Sequence, residues 1–278
     1  MKTILVPVEL HDLAQSTLQT AALLGKAFGS YLEGFTLTPS LSPFLAADAM
    51  GSTVLYQADY VNNEDNQHKA HQIFTETMQA HNIPEAARTK AGLRYGWQEK
   101  AQGDDFVASQ GRAFDITVLG RPGTKFSQPR TSTLEAALFE SGRPVLIAPP
   151  GPPRQFGENV LIVWNGSTET ARTIGLALPL LARATRTIVL TVEGSGVPGP
   201  SGNDILTYLK RNEIACEARA IEPEGQPTGE AILNTAADLD CDLIIKGAYT
   251  QSRLRQMIFG GATRHVIAAT DLPVFMAH

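Results

Sequence analysis

The sequence predicts an α/β fold: two tandem open five-stranded parallel sheets flanked by helices, arranged as a pseudo-dimer. Three observations carry this. Short apolar runs alternate with helical patterns, which implies parallel strands covered by helices on both faces. The alternation occurs twice, with matching segments in the two halves. Between the copies stands Pro149-Pro150-Gly151-Pro152-Pro153, which can continue neither a helix nor a central strand and reads as a stiff linker. It divides the 278 residues into units 1–152 and 157–278, each long enough to bury its own core.

The elements follow in order. Ile4-Leu5-Val6-Pro7-Val8-Glu9 is a short apolar run ending in a polar residue, the pattern of a buried parallel strand. Ala14, Leu18, Ala21, Leu24, Gly25 and Phe28 then recur at helical spacing. Asp115 to Gly120 and Pro144 to Ala148 supply two later strands. In the second half, strands fall at 159–164, 186–192, 214–221, 242–246 and 273–277, with helices near 168–183, 203–212, 227–240 and 262–270. Pro179 predicts a kink or break in the first of those helices. Ile214, Cys216, Ala218 and Ala220 alternate with Glu217 and Arg219, so that strand is expected at a sheet edge with one face in water.

The copies align at Ile4 with Val160, at Asp115 with Asp242, and at Pro144 with Pro273. The offset falls from 156 residues at the first strand to 127 and 129 at the last two, so the first half carries roughly 28 extra residues. They are assigned to 38–66, opposite the short loop Gly194 to Gly202. Loops of that length usually serve a function.

Composition narrows the function. Apolar residues at 43% and charged residues at 18% exclude disorder. A net charge of −5 argues against nucleic acid as a partner. Cys216 and Cys241 form no Cys-x2-Cys pair, which excludes a disulfide framework and a thiolate zinc site and fits a reducing, cytoplasmic compartment. Cys241 reads as a small buried residue. No run approaches the ~18 apolar residues of a membrane helix, and Glu9, His11 and Asp12 end the first apolar run too early for a signal peptide. A soluble protein with no membrane partner is expected.

Ligands of such sheets bind at the carboxyl ends of the strands. The most informative segment there runs from Gly247 through Arg253, Arg255, Gly260, Gly261 and Ala262 to Thr263 and Arg264, between a strand and a helix start. Glycines allow close backbone approach, and free N–H groups at a helix N-terminus favour a phosphate. The alternative is a tight turn with solvated arginines. Lys246 could reach a phosphate or snorkel to the rim; Tyr249 could cover a pocket or be an ordinary loop aromatic. His68 and His71, three apart behind Glu64 and Asp65, have a spacing that fits a metal, but no complete ligand set is evident. His11 and Asp12 stand where acid–base groups could act, yet no Gly-x-Ser-x-Gly elbow, P-loop or Gly-x-Gly-x2-Gly accompanies them.

The segment from Gly247, with the strands before it, resembles the universal stress protein family, whose nucleotide-binding members carry Gly-x2-Gly-x9-Gly-Ser/Thr. The spacing from Gly247 to Gly260 is kept, while Thr250 replaces the second glycine and Gly261 the Ser/Thr. Val-Leu-Ile-Val-Trp-Asn-Gly-Ser at 160–167 and Leu-Pro-Val-Phe-Met at 272–276 add to the resemblance, which covers nearly the whole chain in two copies. It implies a Rossmann-like, adenine nucleotide alpha hydrolase-like fold with strand order 3-2-1-4-5 in each half. It also implies pairing of the halves through Val145 to Ala148 and Val274 to Ala277, with a homodimer of the whole chain as a further partner state.

For the second half the resemblance implies an adenine nucleotide, ATP, with magnesium as its companion. The corresponding positions are Asn165, Val192, Gly247, Thr250, Gly260, Gly261, Ala262 and Thr263. Asn165 stands where an acidic residue contacts adenine in the family, and an amide can still pair with a base edge. In the first half, Glu9, Gly120 and Gly123 keep part of the pattern, but Thr131-Ser132 comes too early and Pro129 removes a donor, so that half is expected not to hold ATP. The resulting expectation is a stress-response protein that is not an enzyme. A nucleotide-free interaction module is the alternative, and weak ATP hydrolysis the third reading.

Overall fold

The computed structural model describes residues 1–38, 64–87, 89–125, 127–248 and 261–278. Among the described residues, ten strands and eight helices alternate along the chain. The first half comprises β1 (Thr3–Val8), α1 (Ala14–Phe28), β2 (Tyr31–Leu37), α2 (Glu64–Ala80), β3 (Arg94–Gln102), α3 (Asp104–Gly111), β4 (Ile116–Gly120), α4 (Thr131–Glu140) and β5 (Val145–Ala148). The second comprises β6 (Asn159–Trp164), α5 (Thr168–Leu181), β7 (Arg186–Val192), α6 (Gly202–Arg211), β8 (Cys216–Ile221), α7 (Thr228–Asp238), β9 (Leu243–Gly247), α8 (Gly261–Ala269) and β10 (Val274–Ala277).

The strands form one ten-stranded sheet in the order β3-β2-β1-β4-β5-β10-β9-β6-β7-β8. Each half therefore has the order 3-2-1-4-5. All neighbours run parallel except β5 and β10, which pair antiparallel with Val274 opposite Ile147 and Met276 opposite Val145. The two sheets read from the sequence are thus one continuous sheet.

Both faces of the sheet are covered, as near-continuous apolar strands require. On one face Ile4, Val6, Val160 and Ile162 pack with residues of α1, α2, α5 and α6, among them Leu18, Phe74, Ile174 and Leu209. On the other, Leu5, Leu161, Ile188 and Ile244 pack with Val107, Leu134, Ile232 and Val266 of α3, α4, α7 and α8. No described helix is long and apolar enough to cross a membrane.

Two readings from sequence need correction. Pro179 does not break α5: the helix runs on to Leu181, and Ala182 N–H donates to the Leu178 carbonyl at 2.9 Å. Having no N–H, the proline cannot donate to the Gly175 carbonyl, and the helix absorbs that one lost bond and continues for two further residues. β8 is the edge strand, but water reaches both its faces: Glu217, Ala218, Arg219 and Ala220 are all exposed. The overlying α6 is ten residues long and buries only Ile205 and Leu209, so it leaves Ala218 and Ala220 uncovered. Of the 38–66 insertion, the described part is Thr38 and the start of α2; residues 39–63 lie outside the described residues.

Candidate nucleotide crevices at the strand ends

The crevice at the carboxyl ends of the first half is filled. Glu9 follows β1, and the Arg130 guanidinium reaches it from the loop before α4, Nε to Oε1 at 2.7 Å. The same guanidinium donates to the Thr38 carbonyl at 3.3 Å and lies 3.5 Å from Asp104 Oδ1. Thr133 Oγ1 donates to that Asp104 oxygen at 2.7 Å. What remains among Glu9, Arg130, Thr133 and Leu134 is a space of about 10 Å³, room for about one water. A side chain at Gly120 would strike Pro129 and Thr17 at 2.5 and 2.9 Å. Burial pushes the Glu9 carboxyl up, while the Arg130 charge and hydrogen bonds pull it down.

His11 is engaged locally in this arrangement. Its Nδ1 accepts from the Leu13 N–H at 2.9 Å, just ahead of α1, where the chain offers no side-chain cap. Burial holds its pKa down to about 4. The imidazole is therefore neutral at ordinary pH and works as an acceptor. His71 stacks on Trp97, ring centres 4.6 Å apart, and no group of three metal-ligating side chains occurs among the described residues.

The second half is open. Asn165 follows β6, where the chain turns into α5. Its Oδ1 accepts from Ser167 N–H at 3.3 Å and from Thr170 Oγ1 at 2.6 Å, and Ser167 caps the helix by accepting from Thr170 N–H at 3.1 Å. Gly166 has a φ of +81°, and a Cβ there would sit 2.4 Å from the Val197 carbonyl, so only glycine fits under the 194–200 loop. That loop is tied down by Val197 N–H to Asn165 O at 2.9 Å and by Trp164 Nε1 to Pro200 O at 2.8 Å. Beneath it lies a cavity of about 430 Å³ lined by Trp164, Asn165, Thr191, Glu193, Val197 and Arg219, among others. This is within the range of small-molecule sites.

The sequence-predicted residues do not all meet there. Asn165 lines the cavity, but Val192 is buried on the opposite face of the sheet, that of α7 and α8. Gly247 is buried at the end of β9, where a Cβ would fall 2.4 Å from the Thr170 N–H nitrogen. It is glycine so that the first turn of α5 can lie against the strand. Gly261, Ala262 and Thr263 form the first turn of α8; Gly261 is exposed with no atom near its Cβ position, while Thr263 is buried. Thr250 and Gly260, with Tyr249, Arg253 and Arg255, lie outside the described residues; Arg264 is exposed on α8.

Lys246 is the unexpected member. It is 7% exposed on β9, flanked by Val163 of β6 and Met276 of β10, which belong to the α7/α8 face. Among the described residues its Nζ has one partner, the Gly247 carbonyl at 3.2 Å. Burial lowers its pKa from 10.5 to about 8. A buried cation near a strand end has the chemistry to meet an anion. The Arg130 network and the roles of Thr170 and Trp164 escaped sequence reasoning; Lys246 carried a signal, as a charge in an apolar run.

Comparison with known proteins agrees with this architecture. Residues 158–278 match the model of the universal stress protein family. The universal stress protein Slr1230 of Synechocystis is 28% identical over 168 residues, spanning 58% of this chain and 57% of that protein. The stress response protein NhaX of Bacillus subtilis is 30% identical over 98 residues, spanning 30% of this chain and 59% of that one. The matches thus span little more than half the length of these curated relatives. A universal stress protein from Archaeoglobus fulgidus has the same fold, with a TM-score of 0.69 over 99% of this chain and 95% of its own, at 15% identity. The second half thus carries the match to the universal stress protein family, and the ten-stranded sheet that frames it has the fold of a universal stress protein of known structure.

Proposed function

We propose that this chain is a stress-response protein that binds an adenine nucleotide, ATP with magnesium, at the carboxyl ends of the second half's strands, and that it acts by binding rather than by catalysis. Its units in this reading are 1–152 and 157–278. The observation that carries it is Lys246, a buried ammonium at the end of β9 that meets only a carbonyl among the described residues. Burying a cation without an anion is costly, and a phosphate beside the first turn of α8 would offset that cost. No described carboxylate contacts Lys246, so magnesium would arrive on the phosphates rather than on the protein. The first half supports the asymmetry, because Arg130 already occupies the equivalent space. The curated relatives, which carry stress-response names, support the physiological role.

One observation favours a nucleotide-free interaction module instead. The Asn165 Oδ1 is committed to Ser167 and Thr170, leaving only its amide N–H groups for a base. Calorimetry separates the readings: ATP is titrated into the purified full chain with and without magnesium, and denatured protein is assayed for released nucleotide. Binding that is weakened at least ~10-fold by Lys246→Met and unchanged by Arg130→Met is the expected result. No heat at millimolar ATP and no released nucleotide would decide for the nucleotide-free module.

A further inference from the structure

The two edges of the ten-stranded sheet are finished differently. At one edge, the outer side of β3 is covered: Tyr95 N–H donates to the Pro84 carbonyl at 3.0 Å and Ala86 N–H to the Tyr95 carbonyl at 3.1 Å. The pairing of β2 with β3 also shifts register between Phe35 and Leu37, and irregularity of that kind blunts an edge. At the other edge, β8 pairs with β7 in unbroken register from Cys216 to Ile221. No proline interrupts it, four consecutive residues are exposed, and its two charges, Glu217 and Arg219, stand in register with Ile188 and Leu190. Charges on an edge strand keep foreign strands away, but two charges of opposite sign do so only against a partner that does not match them.

The ladder fixes which groups β8 offers. Thr187 N–H donates to the Ala215 carbonyl, and Glu193 N–H to the Ile221 carbonyl. With Val189 opposite Ala218, residues 215, 217, 219 and 221 spend their backbone groups on β7. The N–H and C=O of Cys216, Ala218 and Ala220 therefore face outward. A second β8 running antiparallel, with Ala218 opposite its own copy, would form three hydrogen-bonded pairs: 218 with 218, 216 with 220, and 220 with 216. The intervening positions are non-hydrogen-bonded pairs, where side chains approach most closely. In that register Glu217 stands opposite Arg219 of the second copy, and Arg219 opposite its Glu217. The strand is complementary to itself in both backbone and charge. A shift by two residues along either strand loses the reciprocal ion pairs.

The charges are available for this. Arg219 is exposed and has no ion pair among the described residues. Glu217 accepts from Arg186 Nε through Oε1 at 2.8 Å, and its Oε2 has no partner among the described residues. The small Ala218 and Ala220 leave the other face of the edge flat.

We propose that β8 is a homodimerisation edge: a second copy of this chain adds its β8 antiparallel about Ala218, joining two ten-stranded sheets around a two-fold axis. One short strand pair is a small interface beside the standard size of stable complexes, so the dimer forms reversibly with concentration.

Analytical ultracentrifugation of the full chain over a wide concentration series tests this. A monomer–dimer equilibrium is expected in the wild type. Arg219→Glu sets four like charges against one another across the axis and should weaken the dimer ~10-fold or more; Glu217→Arg should do the same. The double variant Glu217→Arg/Arg219→Glu restores complementarity and should restore the dimer. Ala218→Pro removes an outward N–H that the monomer does not use, so it should leave the circular dichroism spectrum unchanged and abolish association. Amide exchange at Ala218 and Ala220 should slow as concentration rises. A wild type that stays monomeric overturns the proposal. So does a dimer that survives Ala218→Pro, or one that the charge swap fails to rescue. Species that grow beyond dimers would mean that β8 pairs with a different edge of the next copy, and would overturn the two-fold arrangement.

Discussion

Replacing Lys246 with methionine should make this protein more stable at neutral pH. The substitution keeps an unbranched chain of similar length in the same space and removes the charge. Burial moves the Lys246 pKa from 10.5 to about 8. At ~1.4 kcal/mol per pH unit, that displacement means the ammonium costs the fold about 3 kcal/mol. The Nζ bond to the Gly247 carbonyl is lost in the variant, worth about 1 kcal/mol. The net expectation is a gain of about 2 kcal/mol at pH 7. The pH dependence has a definite sign. The folded pKa lies below the unfolded one, so between about 8 and 10.5 the unfolded chain binds more protons than the folded chain. Both proteins share the opposing effect of Cys241, whose buried thiol is pushed up to about 11, so the Lys246 contribution is read from their difference: the gap between variant and wild type shrinks through that window and closes near its top. Urea denaturation of both proteins at neutral and alkaline pH measures this directly. A variant less stable than wild type at neutral pH, by an amount that does not change with pH, would refute the reasoning, because the ammonium would then have to be paired or hydrated. The prediction also gives the proposed nucleotide site an independent reading. ATP should stabilise the wild type by mass action, and Lys246→Met should trade that response for intrinsic stability.

Two further predictions concern the crevices. Arg130→Ala removes the guanidinium from Glu9 and Asp104 and should cost about 2 kcal/mol, the scale of a charge-assisted hydrogen bond, read as a lower urea midpoint with an unchanged slope. A variant as stable as the wild type would mean that water replaces the guanidinium without loss. Gly247→Ala places a Cβ against the backbone of Thr170, 2.4 Å from its nitrogen, and should destabilise by ~1–3 kcal/mol through displacement of the first turn of α5; the same change at Gly175, which has nothing within 4 Å of its Cβ position, should be neutral or stabilising.

The fold was legible where local pattern and tertiary role agree. β6, β7 and β9 are central strands, apolar on both faces, so their runs stand out between glycine, proline and polar residues. β10 carries the same signature after Leu272-Pro273. β3 gives no comparable signal: Arg-Tyr-Gly-Trp-Gln-Glu-Lys-Ala-Gln has neither alternation nor an apolar run, because its outer side rests on residues 84–86 and its far end is exposed. Periodicity placed β8 at an edge but overstated its burial, since alternating alanines do not reveal that the covering helix is short. The site was legible only in part. Gly247 was visible as a glycine at a strand end, but its close neighbour Thr170 lies 77 positions earlier, and no local spacing encodes that approach. The Glu9–Arg130–Asp104 cluster unites three loop or cap residues from distant parts of the chain. The missing Gly-Ser/Thr in the first half announced that something had changed there. It did not say that an arginine had moved in.

The antiparallel seam between β5 and β10 has a consequence for the whole molecule. All strands of the first half run with β5, and all strands of the second run with β10, so the two sets point in opposite directions. The blocked crevice and the open one therefore look out from opposite rims of the sheet. A partner grasping one rim leaves the other accessible, and any signal between them must cross a seam of three paired residues. Two identical chains joined at such a seam would be obliged to present the same crevice twice. Joining the halves in one polypeptide lifts that obligation and lets one rim be closed by Arg130 while the other keeps Lys246.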